Sequence, residues 1–248
     1  MGGPPVLVKT VDRGPATRYP FDMVTSPPYL RRSGTGRISE RLYSIGSPMV
    51  SFYVYTDGRD GICIDSGASA AAALAGMRRI GVDPLSISYV FLTHSDHDHT
   101  GGIQAFPRAI VVLPRAEEPV ASGELPRRIL FIRRRNRFGS PHESWDDGQI
   151  VDVGGIRVRG IATPGHTVGS MSYLVNDEAL FTGDLLYLSK GAARPGPRIF
   201  TEDVAESARS MARLASLVPS VSILCTAHSG FTRSYGAAME SWKAGRSG

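Results

Sequence analysis

Within six consecutive positions, His94-Ser95-Asp96-His97-Asp98-His99, the chain places three histidines and two aspartates. Imidazole nitrogens and carboxylate oxygens are the ligands that suit Zn, Mn and non-haem Fe. Packed this closely, such groups repel one another or lose solvation unless water or a metal ion satisfies them. A polar surface turn would account for one or two of them. Five, directly after an apolar segment, point to a metal site. Two more histidines follow turn-forming or strand-like stretches, His166 in Thr163-Pro164-Gly165-His166-Thr167 and His228 in Thr226-Ala227-His228-Ser229. An aspartate, Asp184, closes an apolar run after Gly183. An aspartate in that place can bridge two cations.

These residues need elements to carry them. Residues 87–92, Ile-Ser-Tyr-Val-Phe-Leu, are apolar, aromatic and β-branched, and read as a buried strand delivering the cluster at its end. Residues 49–55, 61–64, 109–113 and 221–224 read as further strands. Residues 150–153 and 156–161 flank Gly154-Gly155, and 172–175 pair with 179–182, as two hairpins. Ala70, Ala73, Leu74 and Met77 recur at helical spacing. A second helix is expected from Thr201, with Glu202 and Asp203 in its first turn and Val204, Ala208, Met211 and Ala215 on one face. A closing helix is expected over residues 235–242. Strand after strand thus ends in a polar residue.

The run Thr93-His94-x-x-x-Asp98-His99-x-Gly101-Gly102 resembles the signature of the metallo-β-lactamase-fold hydrolases, usually Thr-His-x-His-x-Asp-His-x-Gly-Gly. Pro164-Gly165-His166-Thr167 and Gly183-Asp184 are similar to two further motifs of that family, and the resemblance covers roughly residues 49–235. It implies an α/β fold, an αββα sandwich of two mixed β-sheets flanked by helices. It implies two divalent metal ions, Zn in the usual case, with His94, Asp96 and His166 holding one, Asp98, His99 and His228 the other, and Asp184 bridging. The chain departs from the pattern at Asp96, where most members carry His. A harder oxygen ligand is friendlier to Mn or Fe. His97 is left out in the family's register, and an altered register using it remains open. Asp65, in Asp65-Ser66-Gly67 before the first helix, reads either as a residue orienting the metal loop or as a turn aspartate.

The activity the resemblance implies is hydrolysis of an ester, lactone or thioester, with a metal-activated water as nucleophile and Asp98 orienting it and shuttling a proton. Tyr187, three residues past Asp184, matches the offset of a carbonyl-binding tyrosine in the lactonase-like branch. The alternative is an amphipathic tyrosine at a cleft edge. A phosphodiesterase or nuclease is the second reading, from the arginines at 127, 128, 133, 134, 135 and 137. A non-haem di-iron redox protein is the third, from Asp96.

At 248 residues the chain is long enough for a substantial core, and 42% hydrophobic with 21% charged residues is ordinary for a globular protein. One domain is expected over residues 1–248, with 1–48 an irregular N-terminal segment beyond a short strand at 6–8 and 115–148 a lid insertion or a solvated helix. No run of apolar residues could span a membrane and no signal peptide is visible, so a cytoplasmic setting is expected. Cys63 and Cys225 are expected as buried free thiols. The net charge of +5 leans toward a small, anionic substrate. A membrane partner is not expected. Nor is a nucleic acid, because the arginine run lacks interleaved aromatics. Oligomeric state is left open.

Overall fold

Alternation along the central strands decides which side each residue faces. The computed structural model describes residues 27–129, 132–135, 138–218 and 220–243. The strand expected at residues 6–8 lies outside them. In Ser51–Thr56, Tyr53 and Tyr55 point one way and Phe52 and Val54 the other; in Gly61–Ile64, Ile62 and Ile64 oppose Cys63. Both sets are buried, which requires cover on both faces.

The first sheet has seven strands whose spatial order follows the chain: Gly36–Arg37, Leu42–Gly46, Ser51–Thr56, Gly61–Ile64, Ile87–Phe91, Ile110–Pro114 and Glu143–Trp145. Its first four strands pair antiparallel and the remaining pairings are parallel. The second sheet runs Ile150–Val153, Ile156–Ala162, Met171–Val175, Ala179–Phe181, Ile223–Thr226 and Gly230–Thr232. It is antiparallel except where Ala179–Phe181 meets Ile223–Thr226. Both sheets are therefore mixed.

Tyr53, Ile62, Phe91 and Trp145 from the first sheet meet Val158, Tyr173, Phe181 and Cys225 from the second, forming the layer between the sheets. Helix Ala70–Ile80 lays Ala73 and Met77 on the outer face of the first sheet. Helix Val204–Leu217 lays Met211, Leu214 and Ala215 on the outer face of the second. This is the αββα sandwich. Each fully buried large apolar side chain contributes about 1.5–3 kcal/mol relative to exposure. Ser69 caps the first helix by accepting from Ala72 N, and Gly81 closes it in the left-handed region. The two thiols are buried and free.

Several expectations change. Leu42–Gly46 is a buried sheet strand, so residues 1–48 are not irregular throughout. The second helix begins at Val204, and Asp203 is its cap, accepting from Glu206 N. Among the described residues from 127 to 134 there are two short strands and no solvated helix. Arg127–Ile129 pairs antiparallel with Ile132–Arg134 as a two-stranded hairpin. The closing segment is a single turn, Tyr235–Ala238, followed by the 3-10 turn Glu240–Trp242. No helix among the described residues is long and apolar enough to cross a membrane.

Candidate metal centre

Strand Ile87–Phe91 is followed by Leu92, Thr93 and His94, all buried. Three bonds join the sheets at this point: Met171 N donates to Thr93 O (2.9 Å), Tyr173 Oη to Leu92 O (2.7 Å) and Tyr53 Oη to Thr226 O (2.7 Å). The cluster thus sits where the strand ends of both sheets are tied together. A helical turn, His97–Thr100, then brings His99 back beneath His94, with ring centroids 4.0 Å apart. Gly102 permits this return, because a Cβ there would lie 1.9 Å from Ser66 O. Gly183 has φ +52° and lies against Thr93, where a Cβ would meet Thr93 Oγ1 at 2.6 Å; this lets Asp184 enter the cluster.

The polar atoms fall into two groups, His94 with His166 and Asp184, and Asp98 with His99 and His228; within each group the ligand atoms lie within 4.8 Å of one another. Asp184 touches both. Its Oδ2 is 3.4 Å from His166 Nε2 and 3.1 Å from His228 Nε2, and its Oδ1 is 3.4 Å from His99 Nε2. Asp96 Oδ2 stands 3.4 Å from His94 Nε2 and 3.5 Å from His166 Nε2. These spacings match the edges, roughly 3.4 Å, of a tetrahedron with about 2.1 Å metal–ligand bonds. His94 Nε2, His99 Nε2 and Asp184 Oδ1 are buried without a hydrogen-bond partner, a costly state for atoms that a cation would satisfy. The donor set fits two divalent ions. His97 is exposed at the cavity and belongs to neither group.

The electrostatics follow from this crowding. Burial pushes His166 down to about 4, leaving a neutral ring whose Nε2 accepts from Arg127 Nη2 at 2.9 Å. Burial would lower His99 and His228 too. The carboxylates around them outweigh it, holding His99 well above the ordinary range and raising His228 to about 9. Burial pushes Asp96 and Asp184 up, but neighbouring imidazoles, and Arg127 in the case of Asp96, hold both well below the usual carboxylate range.

Three supports surround the ligands. Asp65, at φ +61°, accepts from Thr93 N (2.8 Å) and from His99 Nδ1 (2.8 Å), so it orients the metal loop. Glu117 is fully buried and accepts from Ser95 N, Ser95 Oγ, Thr167 Oγ1 and Gly169 N, joining the loops that carry His94 and His166. Arg127, 1% exposed, holds Asp96 through Nε (3.1 and 3.2 Å) and Glu202 through Nη1 (3.0 Å). Sequence reading missed Glu117 and Arg127. Glu117 carried a signal, a carboxylate just past strand Ile110–Pro114 at the end of the sheet that bears the cluster. Nothing in the sequence distinguished Arg127 from its neighbouring arginines.

A cavity of about 280 Å³ opens over the cluster. Asp96, Asp98, His166, Asp184 and His228 form its floor, while Tyr29, Leu30, Leu186, Tyr187, Pro197 and Phe200 are among its walls. Tyr187 stands edge-on to Tyr29, with centroids 6.0 Å apart.

A family model described as the metallo-beta-lactamase superfamily matches residues 46–228. The lactamase-like protein aptB of Emericella nidulans is 32% identical over 167 residues, 66% of this chain and 47% of that protein. A hydroxyacylglutathione hydrolase of Acidiphilium cryptum is 34% identical over 158 residues, 64% of this chain and 56% of that one. The chain spans about half the length of these curated relatives. Among solved structures, a B3 metallo-beta-lactamase with an active-site glutamic acid superposes with TM-score 0.65 at 23% identity, covering 89% of this chain and 92% of that one. A metallo-beta-lactamase family protein of Thermus thermophilus gives TM-score 0.62 at 24% identity, over 82% and 78%. These structures share the fold.

Proposed function

The chain belongs to the metallo-beta-lactamase superfamily, and we propose that within it this protein is a dinuclear metal-dependent hydrolase of an ester, lactone or thioester with an apolar or aromatic acyl part. The observation that carries the reading is Asp184, whose two oxygens lie 3.1–3.4 Å from ligand nitrogens of both groups. Bound divalent ions would supply an activated water and polarise the scissile carbonyl.

The protein's own residues do the rest. His94, Asp96, His166 and Asp184 would hold one ion, and Asp98, His99, His228 and Asp184 the other. Asp98 is the most exposed of these carboxylates, its side chain 34% accessible, and it lines the cavity. It is placed to orient a water and to pass a proton to the leaving group. The aromatic wall of Tyr29, Tyr187 and Phe200 would seat the acyl part and exclude bulk water. Tyr187 is the wall residue proposed to donate to the developing oxyanion.

The apolar wall favours a carbonyl substrate over a phosphodiester. Among the described residues lining the cavity the one arginine is Arg127, and its guanidinium is already engaged by Asp96 and Glu202. The relative named for hydrolysing a hydroxyacyl-glutathione and the lactamase-like relatives support the same class. The test is a substrate panel on metal-loaded protein: aryl-acyl thioesters, aliphatic and aromatic lactones, and bis(p-nitrophenyl) phosphate. Turnover of the carbonyl substrates with little of the phosphodiester is expected; the opposite ranking would overturn the reading.

A further inference from the structure

Arg127 is the bulkiest of the fully buried side chains among the described residues. A guanidinium does not lose its proton in a protein, so this is a permanent cation inside the site. It faces only one half of the centre. Its Nε spans both oxygens of Asp96, and Nη1 meets Glu202 Oε1 at 3.0 Å and Arg128 O at 3.2 Å. Its Nη2 donates to Phe200 O at 2.8 Å and to His166 Nε2 at 2.9 Å. The nitrogen that would bind an ion therefore already accepts a hydrogen bond, and the charge of Asp96 is already matched.

The other half is different. Among the described residues, the side chains of Asp98, His99 and His228 meet one another, Asp65, Asp184, the Thr93 hydroxyl and the Met49 carbonyl. That half draws on three carboxylates, Asp65, Asp98 and Asp184, and has no fixed guanidinium among the described residues.

Resting on the metal reading above, we propose that Arg127 makes the two halves of the centre unequal. The Asp98, His99, His228 half takes the first divalent ion tightly. The His94, His166, Asp184 half takes the second more weakly, because there an incoming cation meets a buried cation of the same sign and must share His166 and Asp96 with it. Arg127 is a positioning residue: it acts on the second ion through Asp96 and His166.

Metal-free protein, prepared by dialysis against a chelator, would be titrated with Co(II) followed by its visible spectrum, and with Zn(II) against a chromophoric chelator. The wild type should show two binding events separated by about tenfold or more in affinity. His228→Ala should remove the tighter event and His94→Ala the weaker. Arg127→Met should bring the two events within about threefold, whereas Arg127→Lys, which keeps the cation, should preserve the gap. Equal events in the wild type, or loss of the tighter event in His94→Ala, overturns the proposal, and neither outcome depends on Arg127→Met folding. Uptake of no metal by the wild type overturns the metal centre itself and this proposal with it, whereas two equal events leave the centre intact.

Discussion

Asp65 Oδ2 accepts from His99 Nδ1 at 2.8 Å, and the two residues lie on different loops, one after strand Gly61–Ile64 and one after strand Ile87–Phe91. These strands are parallel neighbours, so their ends emerge side by side. The bond fixes the His99 tautomer with Nε2 turned toward Asp98 and Asp184. Because Asp65 also accepts from Thr93 N and Thr93 Oγ1, one carboxylate sets the position of the whole loop. Replacing Asp65 by Ala should therefore weaken binding of the ion held by His99 by about 10–100-fold, measured by chelator competition. A change below about twofold would mean that His99 is oriented by other contacts.

Glu117 is a structural tie. Its two oxygens take four donors from Ser95, Thr167 and Gly169, all buried. Glu117→Ala would remove a charged acceptor from four buried hydrogen bonds, with Thr167 Oγ1 keeping Ser170 Oγ, and the expected loss of unfolding free energy is about 3 kcal/mol or more, at roughly 1.5–3 kcal/mol per hydrogen bond to a charged group. Denaturant unfolding of metal-free protein reads this directly. An unchanged midpoint would show that water replaces the carboxylate at no cost.

In metal-free protein the imidazole of His228, raised to about 9 by Asp184 and Asp98 against the effect of burial, carries a proton at neutral pH. A histidine whose folded value is raised contributes stability that is fully present below its unfolded value of about 6.5 and is lost as the pH rises through about 9. The same proton must leave before Nε2 can bind an ion. Apparent metal affinity should climb by up to about tenfold per pH unit between about 6.5 and 9, with proton release detectable as buffer-dependent heat in calorimetry. A flat affinity across that range would contradict the assignment of His228 as a ligand.

Tyr187→Phe removes one hydroxyl from the cavity wall and retains the edge-on packing against Tyr29. If the hydroxyl meets the oxyanion, kcat should fall by about 10²–10³ with KM little changed. A rise in KM alone would assign Tyr187 to acyl binding.

How much of this was legible depended on whether the signal was local. The cluster from His94 to His99 lies in one loop behind one strand, so type and spacing were enough to mark it as a metal site, while the family resemblance chose His94, Asp96, Asp98 and His99 within it. His166, Asp184 and His228 are far apart in sequence, and it was the family resemblance that grouped them. The fold places all three nitrogens or oxygens within a few ångströms of the loop. Arg127 and Glu117 come from the stretch where periodicity fades. Glu117 lies in a single 3-10 turn and Arg127 in a hairpin of three-residue strands, too short to show a period of 2 or 3.6. The helix expected around Ile129 failed for that reason. Strand Leu42–Gly46 was hidden by the prolines, glycines and arginines around it, although its pairing with Ser51–Thr56 runs its full length. Glu202, read as a first-turn helix residue, instead lies just outside the helix and pairs with Arg127.

The bridging role proposed for Asp184 is tested most directly by equilibrium dialysis against excess zinc followed by elemental analysis. About two equivalents should bind to the wild type, falling to about one or fewer in Asp184→Ala. No zinc in the wild type, or an unchanged stoichiometry in the variant, would contradict a dinuclear centre joined by Asp184.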